Sequence, residues 1–280
     1  VEEGEPGCLP ITIGGHASGG RVDVPGHVSS QFLSGLLLAG PLFPEGLAVH
    51  VTSPLVSVPY VEMTRWVMRS FGADVDDTVV QPGSYCATSY AIEPDASAAG
   101  YFLAAAAITG GRVRVEGLGR HALQGDIGFV DVLASMGAEV EWEPDGVTVT
   151  GPAPGGLHGV SVDLADLSDT AQTLAAVAVF ADTPTTVTGI GFIRRKETDR
   201  IADTVRELQR VGIDATENDD GFTIRPGRPT AATIATYDDH RMAMSFALLG
   251  LVVPGIEILD AHCVAKTYPA YFADLDQLRQ

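Results

Sequence analysis

Apolar positions along this chain change period in a fixed succession, from runs at helical spacing to short alternating stretches, and the succession comes round four times. A small polar turn opens each Ala/Leu-rich run: Ser29-Ser30-Gln31-Phe32, Asp95-Ala96-Ser97-Ala98, Ser168-Asp169-Thr170-Ala171 and Asp239-His240-Arg241-Met242. Short hydroxyl or carboxylate side chains satisfy the free N–H groups at a helix start, so each turn predicts a helix N-terminus. A β-rich stretch follows each helix, at Ala48 to Val51, Arg112 to Val115, Thr185 to Val187 and Glu257 to Leu259. Second helices are expected to start near Pro59, Asp126, Asp199 and Pro269, a repeat of roughly seventy residues.

The first three copies close with Gly-x-Asp/Glu turns at Gly72, Gly137 and Gly212, then alternating strands such as Glu139 to Trp142 and Phe222 to Ile224. The unit reads strand, helix, strand, helix, strand, strand, which makes the fold mixed α/β. The fourth copy reaches Gln280 without closing strands, leaving a sheet edge and an apolar helix face that something outside the chain is expected to cover. Gln81 to Tyr90, rich in Pro, Gly, Ser and Tyr, is the expected hinge between a first domain over 1–88 and a second over 89–280.

Composition narrows the classes. At 280 residues and 45% hydrophobic the chain can bury a real core. Its longest apolar runs, such as Phe246 to Val253, are far short of a membrane span. The start Val1-Glu2-Glu3-Gly4 lacks Met, a basic segment and an apolar segment, so it reads as the interior of a longer protein with no secretory signal. Three scattered cysteines, Cys8, Cys86 and Cys263, argue against a disulfide framework or structural zinc and for a reducing cytoplasm. A net charge of -19 argues against nucleic acid and membrane as partners, which require a basic footprint.

Against that background the cations stand out. Of 17 basic residues only Lys196 and Lys266 are lysines, at matching places before the second helices of successive copies. The first lies in Arg194-Arg195-Lys196-Glu197-Thr198-Asp199-Arg200 and the second in Cys263-Val264-Ala265-Lys266-Thr267-Tyr268-Pro269. The first alone also reads as a capped surface helix, with Thr198 or Asp199 as the cap. His240 and Arg241 occupy the first turn of an apolar helix, where cations oppose the helix dipole unless an anion sits beside them. Ser29, Ser30 and Gln31 suit a phosphate at a helix start, although capping by itself explains them better, and Asp95 and Asp169 carry the same ambiguity.

Taken together, K-E-T-D-R, D-H-R-M-A-M, the final A-K-T-Y-P, S-S-Q before a helix of small residues, and D-A-S-x-x-x-Y-F-L-A-A-A-A resemble the 5-enolpyruvylshikimate-3-phosphate (EPSP) synthase family, in its order and across all 280 residues. The resemblance implies the enolpyruvyl transferase fold: two domains built from βαβαββ units around pseudo-threefold axes, closing on substrates, with the first domain incomplete in this chain. It implies transfer of the enolpyruvyl group of phosphoenolpyruvate to the 5-hydroxyl of shikimate-3-phosphate by addition and elimination, without metal or organic cofactor. Shikimate-3-phosphate would fall to Ser29, Ser30, Gln31, Ser57, Tyr60, Asp169 and Lys196. Phosphoenolpyruvate would fall to Gln31, Glu197, Arg200, His240, Arg241 and Lys266.

In that scheme Asp169 takes the hydroxyl proton, Glu197 and Lys266 handle protons at the methylene carbon, and Arg200 and Arg241 clamp anionic groups, with His240 in the same catalytic set. Phe192 stands where some members carry an Asn that serves the sugar ring. The family's N-terminal third, with a Lys-Ser pair, two arginines and a Gly-Asn-Ala-Gly-Thr turn, has no counterpart here, so a complementing N-terminal segment is the expected partner. The alternatives are a non-catalytic or split module that only binds substrate or completes another chain, and the related transferase of UDP-N-acetylglucosamine. The latter has a catalytic-loop cysteine and lacks D-H-R-M-A-M.

Overall fold

A computed structural model of the protein describes residues 2–4 and 8–278; Val1 and Gln280, the outer limits of the two expected domains, lie outside the described residues. The chain divides into two compact units, Val1–Leu55 with Val61–Tyr90, and Val56–Tyr60 with Ala91–Gln280.

In the first unit β1 (Glu2–Glu3) pairs with β2 (Ile11–Thr12). One repeat follows: β3 (Gly20–Val24), α1 (Ser30–Ala39), β4 (Leu47–Val51), α2 (Val58–Ser70, belonging here from Val61 onward), β5 (Val75–Asp76) and β6 (Val79–Val80). The sheet runs β3-β4-β6-β5, with β3 parallel to β4 and the β5–β6 hairpin antiparallel. Leu33, Leu37, Val49, Val61, Met68 and Val80 fill the space between sheet and helices.

The second unit opens with α3 (Ala96–Thr109), β7 (Arg112–Glu116), α4 (Phe129–Ser135), β8 (Glu139–Glu143) and β9 (Gly146–Thr150). It continues with β10 (Ser161–Asp163), α5 (Ala171–Ala178), β11 (Thr185–Thr188), α6 (Arg200–Arg210), β12 (Asp214–Asn218) and β13 (Gly221–Arg225). It ends with β14 (Ala232–Ile234), α7 (His240–Ala247), β15 (Ile256–Ile258) and α8 (Tyr271–Gln277). Helix α5 packs on both α3 and α7, and the buried alanines of α3 and α5 lie in the core that these helices share. Gly72, Gly137 and Gly212 all take positive φ just after a helix, the left-handed stop that a side chain disfavours.

The third copy, β10-β11-β13-β12, has the same strand order and pairing as the repeat in the first unit. The second copy departs from the expected unit, because its sheet is β7-β9-β8 with no leading strand among the described residues. Its approach to α3 is spent otherwise: the Glu93 carboxylate accepts the Leu123 N–H at 2.8 and 3.0 Å, Pro94 follows, and Ile92 is 86% exposed. The fourth copy is only the parallel pair β14–β15, without a closing hairpin. A hollow of about 500 Å³ lies beside β15, lined by Val253, Ile256, Ile258, Phe272 and Leu275 among others. No helix among the described residues is long and apolar enough to cross a membrane.

Candidate active site

Arg200 is the first residue of α6 and, among the described residues, the largest fully buried side chain, 1% exposed. Asp199 caps the helix by accepting the N–H groups of Ile201 and Ala202 at 3.2 and 3.0 Å, which leaves the Arg200 guanidinium free to turn inward. There it meets three carboxylates. Nε donates to Asp239 Oδ2 at 2.7 Å, Nη1 to Asp169 Oδ1 at 3.0 Å and Nη2 to Glu197 Oε2 at 2.6 Å. A buried cation requires such partners, since desolvation would otherwise cost several kcal/mol.

The next repeat supplies the second cation. Arg241 Nη2 donates to Asp169 Oδ2 at 2.7 Å and Nη1 to the Tyr101 hydroxyl at 3.4 Å. The anion that its place in the first turn of α7 demands is therefore internal: Asp239 caps the helix through the Arg241 N–H at 2.8 Å, and Asp169 neutralises the guanidinium. Asp169 resolves its sequence ambiguity here. Asp95 is a true cap, accepting the Ala98 N–H at 3.0 Å, whereas Asp169 caps nothing and spends its carboxylate on the two arginines. Burial pushes the Asp169 carboxyl up, but the charges of Arg241, Arg200 and Lys196 outweigh it and hold the carboxyl below its ordinary value. His240, 3% exposed, has no hydrogen-bond partner for Nδ1 among the described residues; burial and the Arg241 charge push its imidazole down, toward the neutral form.

Glu197 bridges two cations, accepting from Arg200 on one oxygen and from Lys266 Nζ on the other. Burial raises its carboxyl, yet the Lys266 bond and the Arg200 charge prevail and bring it down to about 2, so it is ionised at neutral pH. Lys266 ends a 3-10 turn over Ala261–Lys266 rather than adjoining a helix start. Pro269 explains this, because the residue before a proline is kept out of helical geometry and α8 waits until Tyr271. Lys196 follows the corresponding 3-10 turn, Gly191–Arg195, and Phe192 within that turn packs against the core of the second unit.

The residues expected on shikimate-3-phosphate fall into two groups. Ser57 and Tyr60 belong to the second unit with Asp169 and Lys196, whereas Ser29, Ser30 and Gln31 belong to the first. Ser29 caps α1 through the Gln31 N–H at 3.2 Å, and Ser30 is buried. Ser57 is buried with φ 53, an uncommon conformation for serine.

Three partners escaped the sequence reading. Asp126 accepts from the hydroxyls of Tyr60, at 2.8 Å, and Ser97; Tyr101 and Asp239 hold the two arginines. One signal was available: Ser97 and Tyr101 are four apart in an otherwise apolar helix, hence on one face, and a buried hydroxyl there needs a polar partner. Burial pushes the Tyr101 phenol up to about 12, so it stays a neutral hydroxyl beside Arg241.

Residues 1–275 match the family described as EPSP synthase (3-phosphoshikimate 1-carboxyvinyltransferase). The 3-phosphoshikimate 1-carboxyvinyltransferase of Edwardsiella ictaluri is 46% identical over 97% of this chain and 65% of its own length. That of Nostoc punctiforme is 44% identical over 99% of this chain and 66% of its own length. The chain thus spans less than two-thirds of the length of these relatives. Among solved structures, EPSP synthase of Acinetobacter baumannii is similar at TM-score 0.77 and 28% identity, covering 93% of this chain and 62% of that one. The enolpyruvyl transferase NikO of Streptomyces tendae shares the fold at TM-score 0.71 and 22% identity, covering 93% and 64% of the two chains.

Proposed function

Because this chain belongs to the EPSP synthase family, we propose that it supplies most of the chemistry of enolpyruvyl transfer from phosphoenolpyruvate to the 5-hydroxyl of shikimate-3-phosphate, once a complementing N-terminal segment is present. The observation that carries the reading is the balanced cluster of Arg200, Arg241 and Lys266 with Asp169, Glu197 and Asp239. Each cation of this set is already held by a carboxylate, so an incoming anion competes with Glu197 for Arg200 and Lys266. Release of Glu197 from that bridge would free the groups that bind phosphoenolpyruvate and, in the same motion, a carboxylate to move a proton.

The roles follow from geometry and charge. Asp169, ionised and held by both arginines, accepts the proton of the attacking hydroxyl. The Lys266–Glu197 pair delivers a proton to the methylene carbon during addition, and the Glu197 carboxylate removes one from the methyl group as phosphate departs. Arg200 and Arg241 stabilise the anionic groups, with His240 beside them. Shikimate-3-phosphate falls to Ser29, Ser30, Gln31, Ser57, Tyr60, Asp169 and Lys196, and Gln31 also serves phosphoenolpyruvate. The three unpaired cysteines suit the reducing cytoplasm, where this chemistry would take place.

Two substitutions test the assignment in the complemented protein. Lys266→Ala is expected to lower turnover by more than about a hundredfold, as loss of a preorganised cation at a site of developing negative charge does. Steady-state phosphate release measures it, and turnover within a few-fold of wild type would strike Lys266 from the reaction. Glu197→Gln is expected to preserve shikimate-3-phosphate affinity while abolishing exchange of solvent deuterium into the methyl group, because the amide keeps shape but cannot titrate. Deuterium incorporation at the wild-type rate would move this step to another residue.

A further inference from the structure

Residues 56–60 lead into and form the first turn of α2, and the second unit holds them at three points. The Val58 N–H donates to Asp166 Oδ1 at 3.1 Å, the Tyr60 hydroxyl donates to Asp126 Oδ2 at 2.8 Å, and the Pro59 ring lies over Gly125. Contact at Gly125 is so close that a Cβ there would fall 2.6 Å from the proline ring. The Tyr60 N–H closes the turn on the Ser57 carbonyl at 3.1 Å, with Ser57 itself in the left-handed region. Backbone in that conformation is retained only when its surroundings determine it.

Of the three holds, Asp126 costs the most to build. It is 2% exposed and its Oδ2 serves both Tyr60 and Ser97; among the described residues no cation lies within hydrogen-bonding distance of it and its Oδ1 has no hydrogen-bond partner. A carboxylate buried on such terms is expensive and is not explained by helix capping, since the 3-10 turn Gly125–Gly128 that carries it has no side-chain cap. Burial pushes its carboxyl up, and both Asp126 and Tyr60 feel the charges of Asp169 and Arg241, which places the pair against the arginine cluster.

We propose that Asp126 is a positioning residue for Tyr60: its buried carboxylate fixes the phenol, and with it the Ser57–Tyr60 turn, in the place from which Ser57 and Tyr60 take hold of shikimate-3-phosphate. The inference rests on the assignment of that substrate to this turn. It reaches the reaction through binding and not through proton transfer, so its signature is selective: affinity for shikimate-3-phosphate falls while affinity for phosphoenolpyruvate holds.

Isothermal titration of residues 1–280, alone and complemented, with each substrate in turn tests it on Asp126→Ala, Asp126→Asn, Tyr60→Phe and the Asp126→Ala/Tyr60→Phe pair. Asp126→Ala and Tyr60→Phe are each expected to weaken shikimate-3-phosphate by about tenfold, as loss of one buried hydrogen bond does. The double variant is expected to be no weaker than either single, since both changes break one link. Asp126→Asn should recover part of the loss, because its carbonyl still accepts. Equal weakening of both substrates, additive losses in the double variant, or wild-type affinity in Asp126→Ala and Tyr60→Phe would each overturn the proposal, and Tyr60→Phe keeps the test open should Asp126→Ala not fold. No binding of shikimate-3-phosphate by the wild-type protein in either form would overturn the assignment of substrate itself, and this inference with it.

Discussion

Arg200→Ala is expected to destabilise the second unit by about 3–5 kcal/mol, the cost of leaving buried charges without their partner. The side chain is 2% exposed and bonds Asp169, Glu197 and Asp239, so its removal leaves Asp239 wholly buried with no other cation bonded to it. Glu197 keeps Lys266 and Asp169 keeps Arg241, which confines the damage chiefly to Asp239 and to the cap it provides for α7. Urea unfolding in a Trp66→Phe background reads this directly, because the remaining tryptophan, Trp142, lies on β8 of the second unit. A loss below about 1 kcal/mol would mean that water reaches Asp239 and that Arg200 does not organise the site.

What the sequence could and could not disclose follows from what a side chain's type determines. Four polar turns announce four helices; α1, α3 and α7 do open with Ser29, Asp95 and Asp239 as caps, whereas Ser168-Asp169-Thr170 forms a 3-10 turn before α5 and supplies no side-chain cap. Residue type alone does not say whether a carboxylate turns back on its own helix or reaches across to another repeat. Asp95 and Asp169 read alike along the chain, yet one caps α3 and the other joins two arginines from α6 and α7. Asp239 does both, which no local pattern conveys.

Tertiary commitments explain the other departures. The second copy lacks its leading strand because Glu93 is tied to the Leu123 N–H, a contact set by a loop thirty residues away. Asp126 looked like the start of a helix and instead sits in a 3-10 turn, facing the hydroxyls of Tyr60 and Ser97. The cations were legible for the opposite reason. Two lysines among arginines, and an Arg at the wrong end of a helix dipole, are anomalies that composition and helix electrostatics expose without any knowledge of contacts.

We propose that this chain carries the proton-transfer and anion-binding machinery of an enolpyruvyl transferase and works only with a complementing N-terminal segment. Among the described residues the fourth copy is only the parallel pair β14–β15 with a hollow beside β15, and we propose that strands supplied in trans pair there. Cations supplied by this chain cannot replace those the family resemblance assigns to the N-terminal third, and lost orientation costs many orders of magnitude in rate. The direct measurement is phosphate release from shikimate-3-phosphate and phosphoenolpyruvate by purified residues 1–280, with and without a separately expressed N-terminal third of a curated relative. No release from the chain alone and steady release from the pair is the result expected. Full activity from the chain alone would contradict the need for a partner, and no release from a pair that demonstrably associates would contradict the enzymatic reading itself.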